Sequence, residues 1–484
     1  MFAEFDELSY LELNPDVEAA VLAGSISSGR EHWTKYGRQE GRLTTRPKRP
    51  EGAPPEWNEF NYLRANPDVA AAARNRVFSS GYEHWVAYGR HEARSGGPEP
   101  FKKTSAVDVL KKVPAGFNSF GYEDASTGLG SAIRGFGDIF RSLTSNVKQI
   151  RVPVWGADRG PVSKLKAEHI PYAFNFIHQN PDVLPHFLYH FGSEILDHRI
   201  NIGHWVWEMH AGYPTWHRLS RLFHEIWVPS SYVASSLQGV SLSSLATIPY
   251  VVDGLPASPS LTRSSLGLPE DAFIFLYVFD IASTIGRKNP LAVLRSFRNV
   301  FHNNKNAVLL LKYHNSYSDP AGVGALERLA SSHANVRLLN KTLASDDVYS
   351  LFQITDCFVS PHRSEGFGLN IATAMYYGQP VIATGYSGNM DYMNASNAFP
   401  IEYEVVQAGP GHHNYRDGYG WAEPSPQHLE ALLLRVYENR ELAARTGAAG
   451  KKSVREQFNV DTVAQQVRNR LQTITDGLLS GNLS

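Results

Sequence analysis

The stretch Pro361-His362-Arg363-Ser364-Glu365-Gly366-Phe367-Gly368-Leu369-Asn370-Ile371-Ala372-Thr373-Ala374-Met375 concentrates the clearest chemistry in the chain. An apolar run, 357–360, precedes it and a helical pattern follows. Gly366 and Gly368 remove side chains where the chain turns, so backbone N–H groups can approach a ligand closely. A helix opening near Gly368 aims its free N–H groups and positive dipole end at the same point, which suits an anion such as a pyrophosphate. Glu365 would repel that anion. A carboxylate there is better matched to sugar hydroxyls, from which it accepts hydrogen bonds. A glycine turn with an exposed Glu is the plain alternative.

Two adjacent cations, Arg287 and Lys288, stand just ahead of Asn289-Pro290, which reads as an N-cap followed by proline at the first helical position. Cations beside a helix N-terminus oppose its dipole. An anionic ligand would resolve that conflict; solvated charges in a loop are the other reading. Lys312 closes an apolar run, and so does His178, in Phe176-Ile177-His178-Gln179-Asn180-Pro181. Trp205, Trp207 and Glu208 close another. Such rings either stack on a sugar or nucleotide or pack in the core.

Bringing these groups together requires a fold that collects strand ends. From about residue 113, short apolar runs alternate with helical patterns, the mark of parallel sheets with crossover helices. Strands are expected at 116–122, 147–154, 172–177, 200–207, 225–228 and 245–248 in a first half. In a second half they are expected at 273–279, 307–312, 336–339, 357–360 and 380–383, with helices at 289–301 and 346–354. The halves divide near 252–260, at Asp253-Gly254-Leu255-Pro256 and Pro259. Two such doubly wound domains leave a cleft lined by the carboxyl ends of both sheets, where ligands bind.

Ahead of them lies an internal repeat. Tyr10-Leu11, Asn14-Pro15-Asp16-Val17, Ser28-Gly29, Glu31-His32-Trp33, Tyr36-Gly37-Arg38, Glu40 and Arg42 recur 52 positions later without a gap, from Tyr62-Leu63 to Arg94. Asn14-Pro15 and Asn66-Pro67 read as N-caps with proline at the first helical position. Ser28 with Glu31, and Ser80 with Glu83, have capping-box spacing, and Gly37 and Gly89 sit where a helix would end. Each unit is expected to be two or three short helices around its Trp and Tyr residues. The adjacent pairs Glu31-His32 and Glu83-His84 lack metal-ligand spacing. Stretches 43–56, with Pro47, Pro50, Pro54 and Pro55, and 95–114, with Gly96-Gly97-Pro98, read as loose connectors.

Composition narrows the class. A chain of 484 residues is too long for one ordinary core. Hydrophobic content of 42% with 19% charged residues fits a globular protein. A formal net charge of −1 argues against a nucleic-acid footprint. The single cysteine, Cys357, excludes an internal disulfide framework and reads as a buried core thiol. The acidic start Met1-Phe2-Ala3-Glu4-Phe5-Asp6-Glu7 lacks a signal-peptide layout, and no stretch approaches roughly 18 consecutive apolar residues. A cytoplasmic location is the expectation, with peripheral docking at the inner membrane face as a further option.

From about residue 115 to 471 the sequence resembles the GT-B fold glycosyltransferases, specifically the large retaining family 4. Ser126-Thr127-Gly128-Leu129-Gly130 resembles that family's glycine loop after the first strand. Ile248-Pro249-Tyr250-Val251-Val252-Asp253 resembles its segment leading into the second domain, and Arg287-Lys288-Asn289-Pro290 its donor-phosphate segment. Residues 365–375 resemble its Glu, seven residues, Glu motif, and Gly378-Gln379-Pro380-Val381-Ile382-Ala383-Thr384 the strand after it. Two departures stand out. The second Glu of the motif, which usually contacts the nucleotide ribose, is Thr373 here. An arginine often found five residues before the lysine is Ser283.

The resemblance implies an α/β protein of GT-B architecture, with two Rossmann-like doubly wound domains facing a cleft, plus an N-terminal all-α repeat module. The domains are then 1–42 (repeat 1), 43–56 (linker), 57–94 (repeat 2), 95–114 (linker), 115–252 (acceptor domain) and 253–484 (nucleotide-sugar domain), with the last helix packing back on the acceptor domain. It implies sugar transfer from a UDP- or GDP-sugar to a hydroxyl acceptor with retention, in polysaccharide or glycoconjugate synthesis, with no metal and no further cofactor. Glu365, Lys288, Arg287 and His178 would carry catalysis. Gly366, Phe367, Gly368, Leu369, Thr373, Gly130 and Lys312 would hold the donor. Glycan, lipid-linked and protein acceptors stay open. The repeats would serve a peripheral membrane or protein partner, and nucleic acid is not expected. An epimerase or phosphorylase on the same fold, a nucleotide-sugar-binding protein without turnover, and a scaffold built on the repeats are the rival readings.

Overall fold

The computed structural model describes residues 5–40, 42, 44, 49–54, 57–97, 106–125, 127–153, 165–408, 415 and 419–479. The readings on Leu43, Pro47, Pro55, Glu56, Pro98, Ser126 and Val154 lie outside the described residues. The chain forms two compact units: 1–102 with 188–194, and 103–187 with 195–484.

In the first unit the same elements occur twice, 52 positions apart. Helices Glu7–Leu13, Pro15–Leu22 and Gly29–His32 run into a π-turn, Trp33–Gly37; Glu59–Ala65, Pro67–Arg74, Gly81–His84 and Trp85–Gly89 are their counterparts. Ser28 and Ser80 cap as expected, each accepting at 3.0 Å from the N–H of Glu31 or Glu83. The other half of the capping box differs. The two glutamates accept from Ser27 and Ser79, one residue outside the cap. Asn14 and Asn66 occupy N-cap positions but do not cap. Their amides donate backwards instead, to the carbonyls of Tyr10 and Tyr62, and so lock each helix to the one before it. His32 and His84 each spend Nδ1 on a buried tyrosine hydroxyl, Tyr10 at 2.9 Å and Tyr62 at 2.8 Å. A Cβ at Gly37 or Gly89 would fall 2.2 or 1.9 Å from that same hydroxyl oxygen, so both glycines are there for close approach. Among the described residues no group of three or more His, Cys, Asp or Glu could hold a metal ion.

The second unit carries two six-stranded parallel sheets. The first contains β1 (Phe117–Gly121), β2 (Val147–Arg151), β3 (Phe174–Ile177), β4 (Ile200–His204), β5 (Glu225–Val228) and β6 (Ser244–Thr247), in the order β2-β1-β3-β4-β5-β6. The second contains β7 (Phe273–Asp280), β8 (Ala307–His314), β9 (Val336–Asn340), β10 (Cys357–Ser360), β11 (Val381–Thr384) and β12 (Phe399–Ile401), in the order β12-β11-β10-β7-β8-β9. Central strands β7 and β8 open on continuous apolar runs, 273–279 and 307–311, because helices cover both sheet faces. Cys357 is fully buried.

The helices that matter below are α1 (Gly128–Leu143), α2 (Pro290–Phe301), α3 (Leu369–Tyr377) and α4 (Val460–Leu479). Helix α4 buries Val463, Val467 and Ile474 in the core shared with α1, and its Arg470 pairs with the buried Glu225 of β5. No described helix is long and apolar enough to cross a membrane.

Several expectations need correction. The strand expected to run to Trp207 stops at His204, because the Val206 N–H leaves the ladder for the Asn180 side chain at 2.9 Å. The connector 95–114 contains a helix, Ala106–Lys112, anchored by the buried Val109. Strand β12 and the antiparallel hairpin β13 (Tyr403–Gln407) and β14 (Gly420–Pro424) were not anticipated. Asn289 stands at the N-cap of α2 but in the left-handed region, φ 54°, and makes no cap bond.

Candidate active site

Strand β10 ends at Ser360, and the loop 361–368 then turns into α3. The loop is built from beneath. His362 is fully buried, bonded to Ser360 and, through Nε2, to Asn389 Oδ1 at 3.1 Å. Arg363 forks onto Glu423 of β14 and lies over the Trp421 ring. The Tyr392 hydroxyl donates to the carbonyls of Phe367 and Gly368, at 2.9 and 2.8 Å. Both glycines are required. A Cβ at Gly366 would come within 2.6 Å of Val206, and Gly368 has φ 82°. Gly368 is the N-cap of α3, and no side chain caps that helix. Its first N–H groups are therefore left for another acceptor.

Arg287 and Lys288 are not the loop cations that the sequence suggested. They form the last turn of a short helix, Ile285–Lys288, and both are drawn inward. Arg287 is 2% exposed, donates to the Ser364 carbonyl at 2.8 Å, and lies 3.4 Å from both Glu365 and Glu208. Its Nε finds no acceptor among the described residues. Lys288 pairs directly with Glu365. Two carboxylates thus answer the charge conflict that the sequence assigned to a ligand. Burial works to raise the Glu365 carboxyl, but Lys288 and Arg287 override it and hold it at about 2. Burial pushes the Lys288 ammonium down, against the pull of Glu365.

These groups line a cleft of about 790 Å³ between the two sheets' carboxyl ends. Lys312 lies in its wall, 3% exposed, with Nζ 3.3 Å from His314 Nδ1, while His314 Nε2 lies 3.5 Å from Asp280. Burial lowers the Lys312 ammonium, partly countered by Asp280. Gly366, Phe367, Gly368, Leu369 and Thr373 also line the cleft. The Thr373 hydroxyl is donated back to the Leu369 carbonyl at 2.9 Å, so its hydrogen is spent within α3.

The first half contributes differently from expectation. Gly128 and Leu129, at the start of α1, line the cleft. Gly130 sits behind them, where a Cβ would lie 2.0 Å from the Ala125 carbonyl oxygen. Helix α1 is capped: Thr127 Oγ1 accepts from the Gly130 N–H at 3.3 Å. His178 is one layer back from the wall. It stacks on His204 at 4.8 Å, and its Nε2 lies 3.4 Å from the hydroxyl of Tyr250, which does line the cleft. Burial holds the His178 imidazole at about 4. Trp205 and Trp207 pack among Trp216, Phe223 and Tyr213 rather than facing the cleft. Glu208, next in sequence, does face it. Tyr415, which no motif marked, reaches Glu208 from the segment between β13 and β14.

A family model described as "Glycosyl transferases group 1" matches residues 261–453. No curated protein matches the sequence closely enough to serve as a relative. Among solved structures, a sucrose-phosphate synthase from Thermosynechococcus elongatus is 14% identical with a TM-score of 0.57, over 76% of this chain and all of its own. HepE from Anabaena, in complex with UDP and glucose, is 16% identical with a TM-score of 0.53, over 74% and 100%. A glycosyltransferase from Rickettsia africae is 11% identical with a TM-score of 0.51, over 75% and 99%. The fold is therefore GT-B, and the group 1 match over residues 261–453 supports nucleotide-sugar glycosyl transfer.

Proposed function

We propose that this protein transfers a sugar from a nucleoside-diphosphate donor, UDP- or GDP-linked, to a hydroxyl acceptor with retention, in the manner of family 4. One observation carries the reading. The uncapped N-terminus of α3 opens into the same cleft as Arg287, Lys288 and Glu365. Helix N–H groups and two cations form a fixed electrostatic cradle for the charge that develops on a departing diphosphate. Such a cradle supplies what a metal ion would otherwise provide, so the reading includes turnover without added metal and without a covalent enzyme intermediate. Glu365 keeps Oε1 on Lys288 and accepts hydrogen bonds from the donor sugar's hydroxyls with Oε2. Lys312 and Thr373 border the nucleoside. The acceptor enters beside Gly128 and Tyr250; it is a glycan, a lipid-linked saccharide or a protein, and the N-terminal unit docks a partner.

The test is a thermal-shift series with UDP, GDP, ADP and CDP, followed by a radiolabelled transfer assay with the sugar donor of whichever nucleotide binds. A ligand that binds only the folded protein raises the midpoint by mass action. UDP or GDP is expected to raise it, and EDTA is expected to leave transfer intact. No shift with any of the four at millimolar concentration would remove the reading.

A further inference from the structure

The cluster around Glu365 contains a group for which the proposed transfer has no task. Glu208 follows β4 and faces the cleft from the first half. Its backbone is firmly held: its carbonyl accepts from the Ser364 hydroxyl and from Tyr232 Oη at 3.2 Å. Its carboxylate is held weakly. Oε1 lies 3.4 Å from Arg287 Nη2, and Oε2 lies 3.4 Å from the Tyr415 hydroxyl. Glu365, by contrast, is paired closely to Lys288.

The charges decide what happens when a diphosphate arrives. Arg287 and Lys288 face Glu208 and Glu365, so the four formal charges sum to zero. A diphosphate adds at least two negative charges beside two carboxylates, and at these separations in a buried site like charges repel strongly. The weakly held carboxylate yields. Glu208 then turns on a fixed backbone, into the cleft and next to the arginine that has just bound phosphate.

We propose that Glu208 is a catalytic residue that takes the proton of the acceptor hydroxyl. This rests on the transfer reading above. The bond from the sugar's anomeric carbon to the diphosphate oxygen breaks, its electron pair leaving with the diphosphate. The acceptor oxygen bonds to that carbon, and its proton passes to the Glu208 carboxylate and then to solvent. Because Glu208 is tethered beside Arg287, it sits on the diphosphate side of the sugar. It therefore delivers the acceptor to the face that the diphosphate leaves, which is the geometry that retention demands.

The experiment compares wild type with Glu208→Gln, measuring kcat in the transfer assay and diphosphate Kd by calorimetry. The amide keeps the size but loses the charge and one acceptor oxygen, and it cannot take the proton. A kcat loss of about 100-fold or more is expected, the usual scale for a general base, with Kd unchanged or tighter because a competitor for Arg287 is gone. A kcat within about three-fold of wild type overturns the proposal, and so does a Kd that weakens in step with kcat, which would mark Glu208 as a prop for Arg287. Glu208→Ala supplies a second arm. Formate, small enough for the vacated space, should restore turnover in a titration, and no rescue also overturns the proposal. If wild type binds no nucleoside diphosphate, the transfer reading itself falls, which a failure of these variants alone would not cause.

Discussion

Both halves of the second unit present a helix N-terminus to the cleft behind a glycine turn, yet the two ends are finished differently. Helix α1 is closed by its own sequence: Thr127 caps it and Gly130 tucks against the Ala125 carbonyl. Helix α3 begins at a left-handed Gly368 with no side-chain cap. The buried groups follow the same division. Behind the first end lie neutral rings, His178 and His204 stacked with Tyr250. Beside the second lie two cations and two carboxylates. The first half caps its own helix; in the second the four charges pair among themselves and the N–H groups of α3 are left without a side-chain cap. An unfinished helix end therefore says more about a ligand than the glycines that both ends share.

The largest test of this contrast is Glu365→Gln. It should cut transfer by about 100-fold or more while the melting curve stays cooperative, since a missing group that contacts the reacting sugar acts on the transition state. Turnover near wild type would detach Glu365 from the reaction. The next test falls on the self-satisfied half. The His178 imidazole stays neutral to about 4 when folded, whereas its ordinary value is 6.5. The unfolded chain therefore binds the extra proton first as the solution is acidified. Stability is full above about 6.5, declines down to about 4, and loses about 3 kcal/mol over that window for this group alone. His178→Gln should flatten that decline; thermal midpoints of the two proteins that stay parallel from pH 7 to 4 would contradict it. Lys288→Ala should weaken diphosphate binding by roughly 1.5–3 kcal/mol, the scale of a charge-assisted hydrogen bond, as read by calorimetry. Equal affinities would return the α3 end to a purely structural role. The smallest effect is expected at Thr127→Ala. Loss of the cap should cost about 1 kcal/mol of stability and leave diphosphate affinity alone. A change in affinity would show that α1 also serves the donor.

Much of this arrangement was legible in the sequence. The apolar runs that open β7 and β8, 273–279 and 307–311, read as buried strands, and Gly366 and Gly368 announced a turn under steric constraint. What was not legible depended on order in space. Arg287 and Glu365 meet because β10 lies beside β7 in the sheet, a neighbourhood that no local pattern encodes. His178 ends a strand as expected, but whether a strand-end side chain reaches the cleft depends on the layer in front of it, here Tyr250. Gly130 was expected at the donor, but Gly128 and Leu129 line the cleft and Gly130 lies behind them, because the helix register that divides wall from turn is set by packing. Thr373 lines the cleft, yet threonine in a helix can turn its hydroxyl onto its own backbone, and this one does. The hairpin β13–β14 escaped notice because its alternating pattern is short and its connection long.

Helix α4 has a consequence for how the protein comes into being. It is the last described helix of the chain, yet it covers α1 and answers the buried carboxylate of Glu225 through Arg470. A ribosome releases the first sheet long before it releases this helix. Until then the nascent first half carries an apolar helix face without its cover and a buried acid without its counter-ion. Domains often fold in order of synthesis, but here the earlier half must wait for a helix that follows the whole second sheet. That interval is when a chaperone would find it, and the same delay ties the maturation of the two halves into a single event.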